Sequence, residues 1–367
     1  MKIDLDLHPL DNKLENKNWP ILIAGPCSAE SEEQVMATAK ELATIGKVSS
    51  FRAGIWKPRT RPGAFEGVGK IGLPWLQQVK KETGMSLSTE VASVEHVEAC
   101  LKHDIDVLWI GARSTVNPFV VQAIADAVKG TDITILIKNP VNPDLPLWVG
   151  AFERFNKAGI TKLGAIHRGF SPFKKTVFRN SPEWSIALEL KRLCPNLPII
   201  CDPSHITGKR DLISFMSQKA LDLDMDGLMI ETHINPDKAW SDSEQQVTPR
   251  HLNDIILNLI LRQPTLSDEN LQTQLDKFRA EIDQLDEDIV QKLSARMEVA
   301  RKIGLYKKNN HIKIFQKSRW ENVLEGRVAL GKAMGLSEDF MRTYLMQIHQ
   351  ESIKNQTEIM SEQKFDD

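Results

Sequence analysis

The sequence predicts an α/β protein: a TIM-type (β/α)8 barrel followed by a small all-α domain, and three observations support this. Eight short apolar runs alternate with amphipathic helical stretches between about residues 20 and 260, the usual length of such a barrel. Beyond Leu266 the strand signals stop. A three-four apolar spacing then continues for about 40 residues, which indicates one long helix that must pack against other helices or another chain.

The composition is that of an ordinary soluble globular protein. With 367 residues, a net charge of -2 and 41% hydrophobic residues, the chain is long enough for two domains and lacks the basic excess of a nucleic-acid-binding protein. The amino-terminal segment has no apolar core, so we expect no signal peptide, and no apolar run is long enough to span a membrane. Four scattered cysteines indicate a reducing compartment, so we expect a cytoplasmic protein.

The predicted barrel elements follow one another at regular spacing. The candidate strands are 21–25, 48–54, 86–91, 107–112, 134–139, 163–169, 198–204 and 227–233. Helical patterns between them include 31–45, 93–103, 116–129 and 182–194. A doubly wound open sheet also alternates strands and helices, but eight regular units favour closure into a barrel.

The domain boundaries follow from the change in pattern. We expect a short extension at 1–18, the barrel at 19–262, a linker at 263–267, the helical domain at 268–360 and a tail at 361–367. Pro264 precedes a polar stretch in which Ser267 or Asp268 would cap the long helix. Two more helices are predicted at about 317–334 and 337–360, separated by Gly335.

The carboxyl ends of the barrel strands carry one set of candidate metal ligands. In this fold the active site forms at those ends. Cys27, His205, Glu231 and Asp242 would converge from the first, seventh and eighth strands. A thiolate, an imidazole and two carboxylates suit manganese, iron, cobalt or zinc better than magnesium or calcium. Such an ion would act as a Lewis acid on a substrate carbonyl.

A second set at the same ends is cationic, and it consists of Arg52, Lys57, Arg59, Arg113, Lys138 and Arg168. Six cations around one cavity repel unless anions lie between them, so the substrate should carry phosphate and carboxylate groups. Taken alone, Cys27 would be a buried apolar residue, and His167 and His233 would be packing groups. The joint occurrence at seven strand ends favours the functional interpretation.

Five motifs lie at the predicted strand ends: GPCS, KPRT with Arg52 five residues before it, GAR, DPSH and the SD pair after the eighth strand. Together they resemble DAHP (3-deoxy-D-arabino-heptulosonate-7-phosphate) synthase of the type I beta branch. The resemblance covers about 20–260, and KPRT is its most specific element. The related 3-deoxy-octulosonate-8-phosphate synthases carry an asparagine-rich segment there. The resemblance to DAHP synthase implies condensation of phosphoenolpyruvate, erythrose 4-phosphate and water into DAHP and phosphate in the shikimate pathway.

The resemblance also implies roles for individual residues. The metal would be held by Cys27, His205, Glu231 and Asp242, with Lys57, Cys27 and His205 taking part in catalysis. Phosphoenolpyruvate would be bound by Arg113, Lys138 and Arg168, with Arg52, Lys57 and Glu90 beside it, and erythrose phosphate by Pro58, Arg59 and Thr60. Asn139 departs from the branch, which usually has an arginine or similar residue after the lysine. Only 20 residues precede the first strand, so we expect no amino-terminal regulatory domain.

The long helix of the second half carries cations on its apolar stripe. Arg296 and Lys307 are eleven residues apart, about three turns, and therefore project from nearly the same face. A buried cation without a carboxylate requires an anionic ligand or partner. Arg279 is seventeen residues before Arg296, roughly 25 Å along the axis, so it cannot reach the same small pocket from the same helix. A two-fold partner chain could supply it to that pocket. The alternative is that these residues lie on the exposed flank of a coiled coil.

The segment FRAEIDQLDEDIVQKLSARMEVARKIGLYKK, with Arg319 and the Ser352/Gln356 pair, resembles the all-helical chorismate mutases over about 267–357. That family forms intertwined helical dimers in which each pocket uses an arginine from the other chain. The resemblance implies that Arg279 and Arg296 bind the carboxylates of chorismate with Arg319 nearby, that Lys307 and Gln356 donate to its ether oxygen, and that Ser352 lines the pocket. Arg296, Lys307 and Gln356 would be the catalytic residues. Trp320 stands where the family has glutamate, so a hydroxyl contact would be lost or supplied otherwise.

The leading hypothesis is a bifunctional DAHP synthase and chorismate mutase that binds phosphoenolpyruvate, erythrose 4-phosphate and chorismate and forms a homodimer through its helical domain. One alternative makes the helical domain a dimerising sensor of chorismate or prephenate, which Trp320 favours. Another is an octulosonate-type synthase acting on a five-carbon sugar phosphate, which KPRT disfavours. The fusion itself suggests that a ligand of the mutase regulates the barrel.

Overall fold

The computed structural model describes residues 3–10, 14, 19–58, 63–172, 176–263 and 269–361. The chain divides into two compact units, Met1–Pro264 and Thr265–Asp367. The predicted linker at 263–267 and the tail at 361–367 lie almost entirely outside the described residues, as does the predicted cap at Ser267 or Asp268. No described helix combines the length and the apolar character needed to cross a membrane.

The first unit is a closed barrel of parallel strands, which confirms the predicted fold. Within the described residues the strands pair in chain order, and β1 closes the barrel against β8 through pairs from Ile21–Gly227 to Gly25–Glu231. The strands are β1 (Ile21–Gly25), β2 (Ser50–Arg52), β3 (Ser86–Val91), β4 (Val107–Ile110), β5 (Thr134–Lys138), β6 (Leu163–His167), β7 (Ile199–Cys201) and β8 (Gly227–Glu231). Several are shorter than predicted because the functional residues beyond their carboxyl ends belong to loops.

Helices surround the barrel, and side chains cap several of their first turns. They are α1 (Glu32–Ile45), α2 (Gly72–Thr83), α3 (Val94–Lys102), α4 (Ala112–Thr115), α5 (Pro118–Ala127), α6 (Leu145–Lys157), α7 (Trp184–Leu193), α8 (Pro203–Thr207), α9 (Ile213–Asp222) and α10 (Pro249–Asn258). The side chains of Ser31, Ser93 and Asp144 accept hydrogen bonds from backbone N–H groups in the first turns of α1, α3 and α6. Gly46, with φ of 68°, ends α1 in the left-handed conformation.

Two apolar layers hold the barrel together. The larger lies between the strands and the surrounding helices. The smaller fills the barrel interior, where Trp109, Ile200 and Met229 pack with Leu10 and Leu14 from the amino-terminal segment. Leu10 is 2% exposed and Leu14 is fully buried. The predicted extension is therefore part of the barrel core at these two positions.

Glycines at the catalytic end let the strand ends approach one another. Gly25 has φ of 146°, and a Cβ there would lie 3.0 Å from the backbone nitrogen of Arg52 and overlap its carbonyl oxygen. A Cβ at Gly54 would lie 2.7 Å from the carbonyl oxygen of Cys27. These contacts place the loop after β1 directly against the end of β2.

Within its described residues, 269–361, the second unit contains three long helices, as predicted. They are α11 (Glu269–Asn309), α12 (Lys317–Ala333) and α13 (Glu338–Ser361), and α13 packs against both α11 and α12. Helices α11 and α13 approach closely at Gly304, where a Cβ would lie 3.1 Å from the side chain of Gln356. The 41-residue α11 leaves much of its apolar stripe uncovered. Its residues with between 45% and 61% exposure include Leu271, Phe278, Ile282, Leu285, Ile289, Val299 and Ile303.

Candidate functional sites

A cavity of about 240 Å³ opens at the carboxyl ends of the strands. Its lining contains most of the predicted site residues, namely Cys27, Arg52, Lys57, Pro58, Glu90, Arg113, Lys138, Arg168, His205 and Asp242. Glu231 is fully buried and forms an ion pair with Arg52, which lines the cavity. Arg59 and Thr60, predicted to bind the sugar phosphate, lie outside the described residues.

Arg52 is the most deeply buried cation of this cavity, with 2% of its side chain exposed. One terminal nitrogen lies 3.2 Å from Oε1 of Glu231, and the guanidinium lies over the ring of Trp109, 4.9 Å from its centroid. Its Nε and Nη1 have no hydrogen-bond partner among the described residues. Burying such donors is costly unless a ligand satisfies them, so Arg52 is arranged to receive an anion.

Lys138 and His205 share a buried carboxylate. Nζ of Lys138 lies 3.1 Å from Oδ2 of Asp202, and Nδ1 of His205 lies 2.8 Å from the same oxygen. Burial opposes ionisation of Asp202, but His205 and Lys138 outweigh it and hold the pKa of this carboxyl well below its usual range. Asp202 therefore fixes the positions of two predicted site residues at once.

Arg168 is held at the cavity by two asparagines that the sequence did not indicate. Asn139, which is fully buried, accepts a bond from the Arg168 backbone N–H at 2.8 Å and donates to the carbonyl of Gly169. Asn180 accepts from the Arg168 guanidinium at 2.8 Å and donates to the carbonyl of His205 at 2.6 Å. Burial lowers the pKa of Arg168 to about 10, which still leaves it charged at neutral pH.

Glu90 is a further acidic residue that lines the cavity. Its Oε2 accepts a hydrogen bond of 3.0 Å from the indole N–H of Trp109. A Cβ at Gly111 would lie 2.8 Å from Cδ of Glu90 and overlap its Oε1. The glycine of the GAR motif therefore makes room for this carboxylate, and Arg113 follows it along the cavity wall.

The four predicted metal ligands lie together as two adjacent pairs. The Cys27 thiol donates to Oδ2 of Asp242 at 3.2 Å, and Nε2 of His205 lies 3.7 Å from Oε1 of Glu231. The ammonium of Lys57 contacts the sulfur and carbonyl oxygen of Cys27 and lies 3.9 Å from Asp242. As placed, no three His, Cys, Asp or Glu side chains in the described part of the chain form a closed ligand group.

The electrostatics of this cluster are those of acidic groups held among cations. Burial, reinforced by the charge of Glu231, raises the pKa of Cys27 to about 12. Burial opposes ionisation of Asp242, but Lys57 and Arg179 outweigh it and lower the pKa of this carboxyl. Burial lowers the pKa of His205, which leaves its imidazole neutral.

The donor set fits a borderline divalent ion in chemical kind. It offers sulfur, imidazole nitrogen and two carboxylates. The contact of Asp202 with Nδ1 directs Nε2 of His205 towards Glu231, which is how metal-binding histidines are usually oriented. A bound cation would also release the Cys27 proton that burial retains.

Arg179 and Gln245 are further site residues that sequence reasoning missed. Arg179 donates to Oδ1 of Asp242 at 2.8 Å and to Oε1 of Gln245 at 2.6 Å, and Gln245 donates to Oε2 of Glu231 at 2.7 Å. Asp242 itself has φ of 49°, a strained conformation for a residue other than glycine. A second cavity of about 620 Å³ adjoins the first at Arg179 and Asp242. Arg179 lies far along the loop after β6, where strand-end reasoning does not look.

The helical unit brings four of its six predicted residues onto facing sides of α11 and α13. Arg296 donates to Oγ of Ser352 at 2.5 Å, and Lys307 donates to the carbonyl of Ile314 at 2.6 Å. Gln356 is 8% exposed, and its Oε1 has no partner among the described residues. Burial lowers the pKa values of Arg296 and Lys307. These four residues form a polar strip where the two helices meet, termed the helical groove.

Arg279 and Arg319 do not join this groove in the single chain. Arg279 is exposed and forms an ion pair of 3.1 Å with Asp276 on its own helix, and Arg319 is also exposed. Trp320 stacks on His349, with the ring centroids 3.9 Å apart and the planes 7° from parallel. The structure thus gives Trp320 a packing partner that the sequence did not predict.

Family comparisons identify both halves of the chain. Residues 11–261 match the DAHP synthetase I family, and residues 278–357 match chorismate mutase type II. A phospho-2-dehydro-3-deoxyheptonate aldolase of Thermotoga maritima is 31% identical over 251 residues, which are 67% of this chain and 72% of the relative. A 2-dehydro-3-deoxyphosphooctonate aldolase of Pelobacter propionicus is 28% identical over 260 residues, 66% of this chain and 91% of the relative.

Solved structures agree with the sequence relatives. A crystal structure of the phospho-2-dehydro-3-deoxyheptonate aldolase (DAHP synthase) of Thermotoga maritima has a TM-score of 0.58 and 30% identity, covering 64% of this chain and 66% of that chain. A truncated form of 3-deoxy-D-arabino-heptulosonate 7-phosphate synthase from the same organism has a TM-score of 0.56 and 28% identity, covering 64% of this chain and 83% of that chain. The chain therefore belongs to the DAHP synthetase I family and carries, after its barrel, a chorismate mutase type II domain.

Proposed function

We propose that the barrel condenses phosphoenolpyruvate with erythrose 4-phosphate to give DAHP and phosphate, and that the helical domain rearranges chorismate to prephenate. The observation that carries the first half is the buried guanidinium of Arg52, whose Nε and Nη1 lack partners among the described residues beside the cavity. Phosphoenolpyruvate supplies the compact phosphate and carboxylate charges that such a group requires.

The cavity cations divide the task of binding two anionic substrates. Lys138 and Arg168 are each fixed by buried groups, Asp202 for the first and Asn139 and Asn180 for the second. Because these donors are already oriented, little reorganisation is needed when phosphoenolpyruvate binds. Arg59 and Thr60 remain the predicted site for the erythrose phosphate; they follow in the sequence directly after Pro58, which lines the cavity.

The residues around Cys27 would hold a divalent transition ion of the manganese, iron, cobalt or zinc class. That ion supplies Lewis-acid polarisation of the aldehyde carbonyl. Cys27, His205, Glu231 and Asp242 provide the donors, while Asp202 and Arg179 hold two of them in place. Lys57 lies beside the same groups and would face the reacting end of phosphoenolpyruvate.

The proposed mutase reaction needs positioning and charge stabilisation only. A unimolecular rearrangement requires no nucleophile, and donors aimed at the oxygen of the breaking ether bond lower its barrier. Arg296 would bind a carboxylate of chorismate, with Lys307 and Gln356 next to the ether oxygen and Ser352 against Arg296. Arg319 and Arg279 would complete the carboxylate contacts.

We further propose that the helical domain forms a homodimer that supplies Arg279 to the partner's groove. The uncovered stripe of α11 includes Ile282 and Ile289, which are 57% and 48% exposed. A contiguous apolar helix face of this length is characteristic of an interface. Light scattering should give a dimer for the wild type and a smaller species for Ile282→Asp, with mutase activity lost in parallel. A monomeric wild type that rearranges chorismate would contradict the shared pocket.

Two assays on the full-length protein test the proposed function. One follows phosphate release from phosphoenolpyruvate and erythrose 4-phosphate, and the other follows the loss of chorismate. A chelator should stop only the first reaction, and Arg296→Ala should stop only the second. If the wild type releases phosphate but leaves chorismate unconsumed, the helical domain is a sensor. Inhibition of the synthase reaction by prephenate would then support that role.

An octulosonate-type synthase is the second candidate for the barrel. Several 2-dehydro-3-deoxyphosphooctonate aldolases match 61–66% of this chain at 24–28% identity, including one of Geotalea daltonii at 27%. The KPRT segment favours the heptulosonate reaction. Replacing erythrose 4-phosphate by arabinose 5-phosphate distinguishes the two, because the proposed enzyme should release phosphate efficiently only with the four-carbon aldehyde.

The four cysteines, all free and buried in the described structure, also support the proposal of a reducing, cytoplasmic compartment.

A further inference from the structure

His349 lies on the same face of α13 as two residues of the helical groove. Positions 349, 352 and 356 are three and four residues apart, so their side chains point to one side of the helix. Ser352 accepts a bond from Arg296, and Gln356 packs against α11 at Gly304. His349 therefore continues the polar face that α13 turns towards the cations of α11.

The imidazole is close enough to these cations to feel their charge. Burial first, and then the charges of Arg296 and Lys307, hold the pKa of His349 below its usual range. Its ring is consequently neutral at physiological pH, with one nitrogen able to donate and the other to accept. A neutral donor beside two cations does not add to their mutual repulsion.

Nε2 of His349 is buried and has no hydrogen-bond partner within the described residues. Oε1 of Gln356, two turns further along the same face, is in the same condition. A buried polar atom without a partner is costly, and a phenylalanine would stack on Trp320 equally well without that cost. Packing alone does not explain a histidine at this position.

Trp320 explains how the ring is held. The stack of the two rings, 3.9 Å between centroids and 7° from parallel, covers one face of the imidazole and fixes its plane. Phe315 contacts the same ring at a tilt of 55°, with centroids 6.1 Å apart. Neither aromatic contact offers a strong hydrogen-bond acceptor to Nε2, so this buried edge of the ring has no polar partner among the described residues.

We propose that His349 is a substrate-contacting residue of the mutase groove: its Nε2–H, oriented by the stack on Trp320, donates to an oxygen of the dicarboxylate held by Arg296 and Lys307. This inference rests on the proposed mutase function. The oxygen concerned is one that keeps its bonds during the rearrangement, so the contact contributes equally to the ground state and the transition state. Trp320 is then a positioning residue that acts through His349.

The test is steady-state chorismate kinetics on the full-length protein with three substitutions at one position. His349→Phe keeps the ring stack and removes both nitrogens, and it should raise KM about tenfold, the usual worth of one such hydrogen bond, with kcat within about twofold. His349→Gln places an amide near the position of Nε2 and should recover most of the loss. His349→Ala removes both the donor and the stack, and it should raise KM at least as much as His349→Phe does.

Two controls separate a binding role from a structural one. Gln347→Ala changes an exposed residue of the same helix and should leave KM and kcat unchanged. Trp320→Phe keeps a ring under the imidazole and should change KM less than Trp320→Ala does. Thermal unfolding and the oligomeric state, measured for every variant, show whether an altered KM accompanies an intact domain.

The outcomes distinguish this inference from the proposed function. If Arg296→Ala abolishes chorismate loss while His349→Phe keeps the wild-type KM, the mutase function stands and the role of His349 is wrong. A lower kcat at unchanged KM, with a lower melting temperature, would mean that His349 only supports packing. If the wild type does not turn chorismate over, calorimetric titration with chorismate decides: a tenfold weaker Kd in His349→Phe supports the contact, and an equal Kd or no binding overturns it.

Discussion

Gly111→Ala is the substitution whose effect the structure predicts most directly. The added methyl group would overlap Oε1 of Glu90, and it would not strain the backbone, because Gly111 has φ of -69°. Glu90 is therefore forced to rotate, which breaks its 3.0 Å bond from the indole N–H of the fully buried Trp109. Leaving a buried donor unsatisfied costs about 1–3 kcal/mol.

Part of this loss is offset because alanine restricts the unfolded chain by about 0.4–1 kcal/mol relative to glycine. The net expectation is a destabilisation of about 1–2 kcal/mol, which for a unit the size of this barrel lowers the melting temperature by roughly 2–4 °C per kcal/mol. Synthase kinetics should show a raised KM for phosphoenolpyruvate, since Glu90 and Arg113 line the same cavity.

Gly150→Ala is the matched control. Gly150 lies inside α6, and a Cβ there meets nothing within 4 Å, so the same chemical change should stabilise the barrel by about 0.5–1 kcal/mol. Adding Glu90→Ala to Gly111→Ala should remove the overlap and, with it, the penalty of the glycine substitution. Calorimetric melting of the wild type, Gly111→Ala, Glu90→Ala and the double variant completes this double-mutant cycle. Equal penalties of Gly111→Ala with and without Glu90 would refute the steric explanation.

Three further predictions concern the barrel. Arg52→Lys retains the charge but loses the forked donors, so KM for phosphoenolpyruvate should rise about 10- to 100-fold in the phosphate-release assay. The rate of chorismate loss should stay unchanged, and an unaltered KM for phosphoenolpyruvate would contradict the role of Arg52. Asn180→Ala removes the contacts to Arg168 and His205 and should raise the same KM about tenfold, whereas normal kinetics would make Asn180 dispensable. Burial lowers the pKa of His167 to about 4, below its unfolded value near 6.5, so the unfolded state takes up the proton first as the pH falls. The free energy of unfolding is therefore unaffected above pH 6.5 and decreases by about 3 kcal/mol between pH 6.5 and 4. Denaturant unfolding at several pH values should show a flatter acid limb in His167→Asn, and parallel curves would disprove the assignment.

The barrel and the main residues of its cavity could be predicted because parallel strands deliver their carboxyl ends to one rim. With that rule, the sequence alone is enough to predict that Cys27, Arg52, Lys138 and Glu231 lie together. Their roles remain predictions, although the structure brings them to one cavity.

The residues that support this cavity could not be predicted, because their contacts depend on the path of loops and on buried amides. Arg179 reaches Asp242 from far along the loop after β6. Asn139 looked like a departure from a family pattern, yet its side chain joins the ends of β5 and β6. Neither residue belongs to a periodic pattern or a recognisable motif.

In the helical domain, too, some features could be predicted from the sequence and others could not. The length of α11 follows from its apolar period, and the common face of Arg296 and Lys307 follows from helix geometry. Trp320, by contrast, looked only like the loss of a family residue. Its stack on His349 joins residues of two helices that packing alone brings together.

The two leucines inside the barrel have a consequence for the order in which the protein matures. Leu10 and Leu14 are synthesised long before Ile200 and Met229 of the same cluster, which emerge from the ribosome only when the barrel is nearly complete. The pairing of β1 with β8 joins the same early and late regions. Such distant contacts are slow to form, so the packing of Leu10 and Leu14 is completed only when the last strands close the cylinder. A folding helper acting on this nascent chain would therefore have a long interval in which to bind the amino-terminal segment.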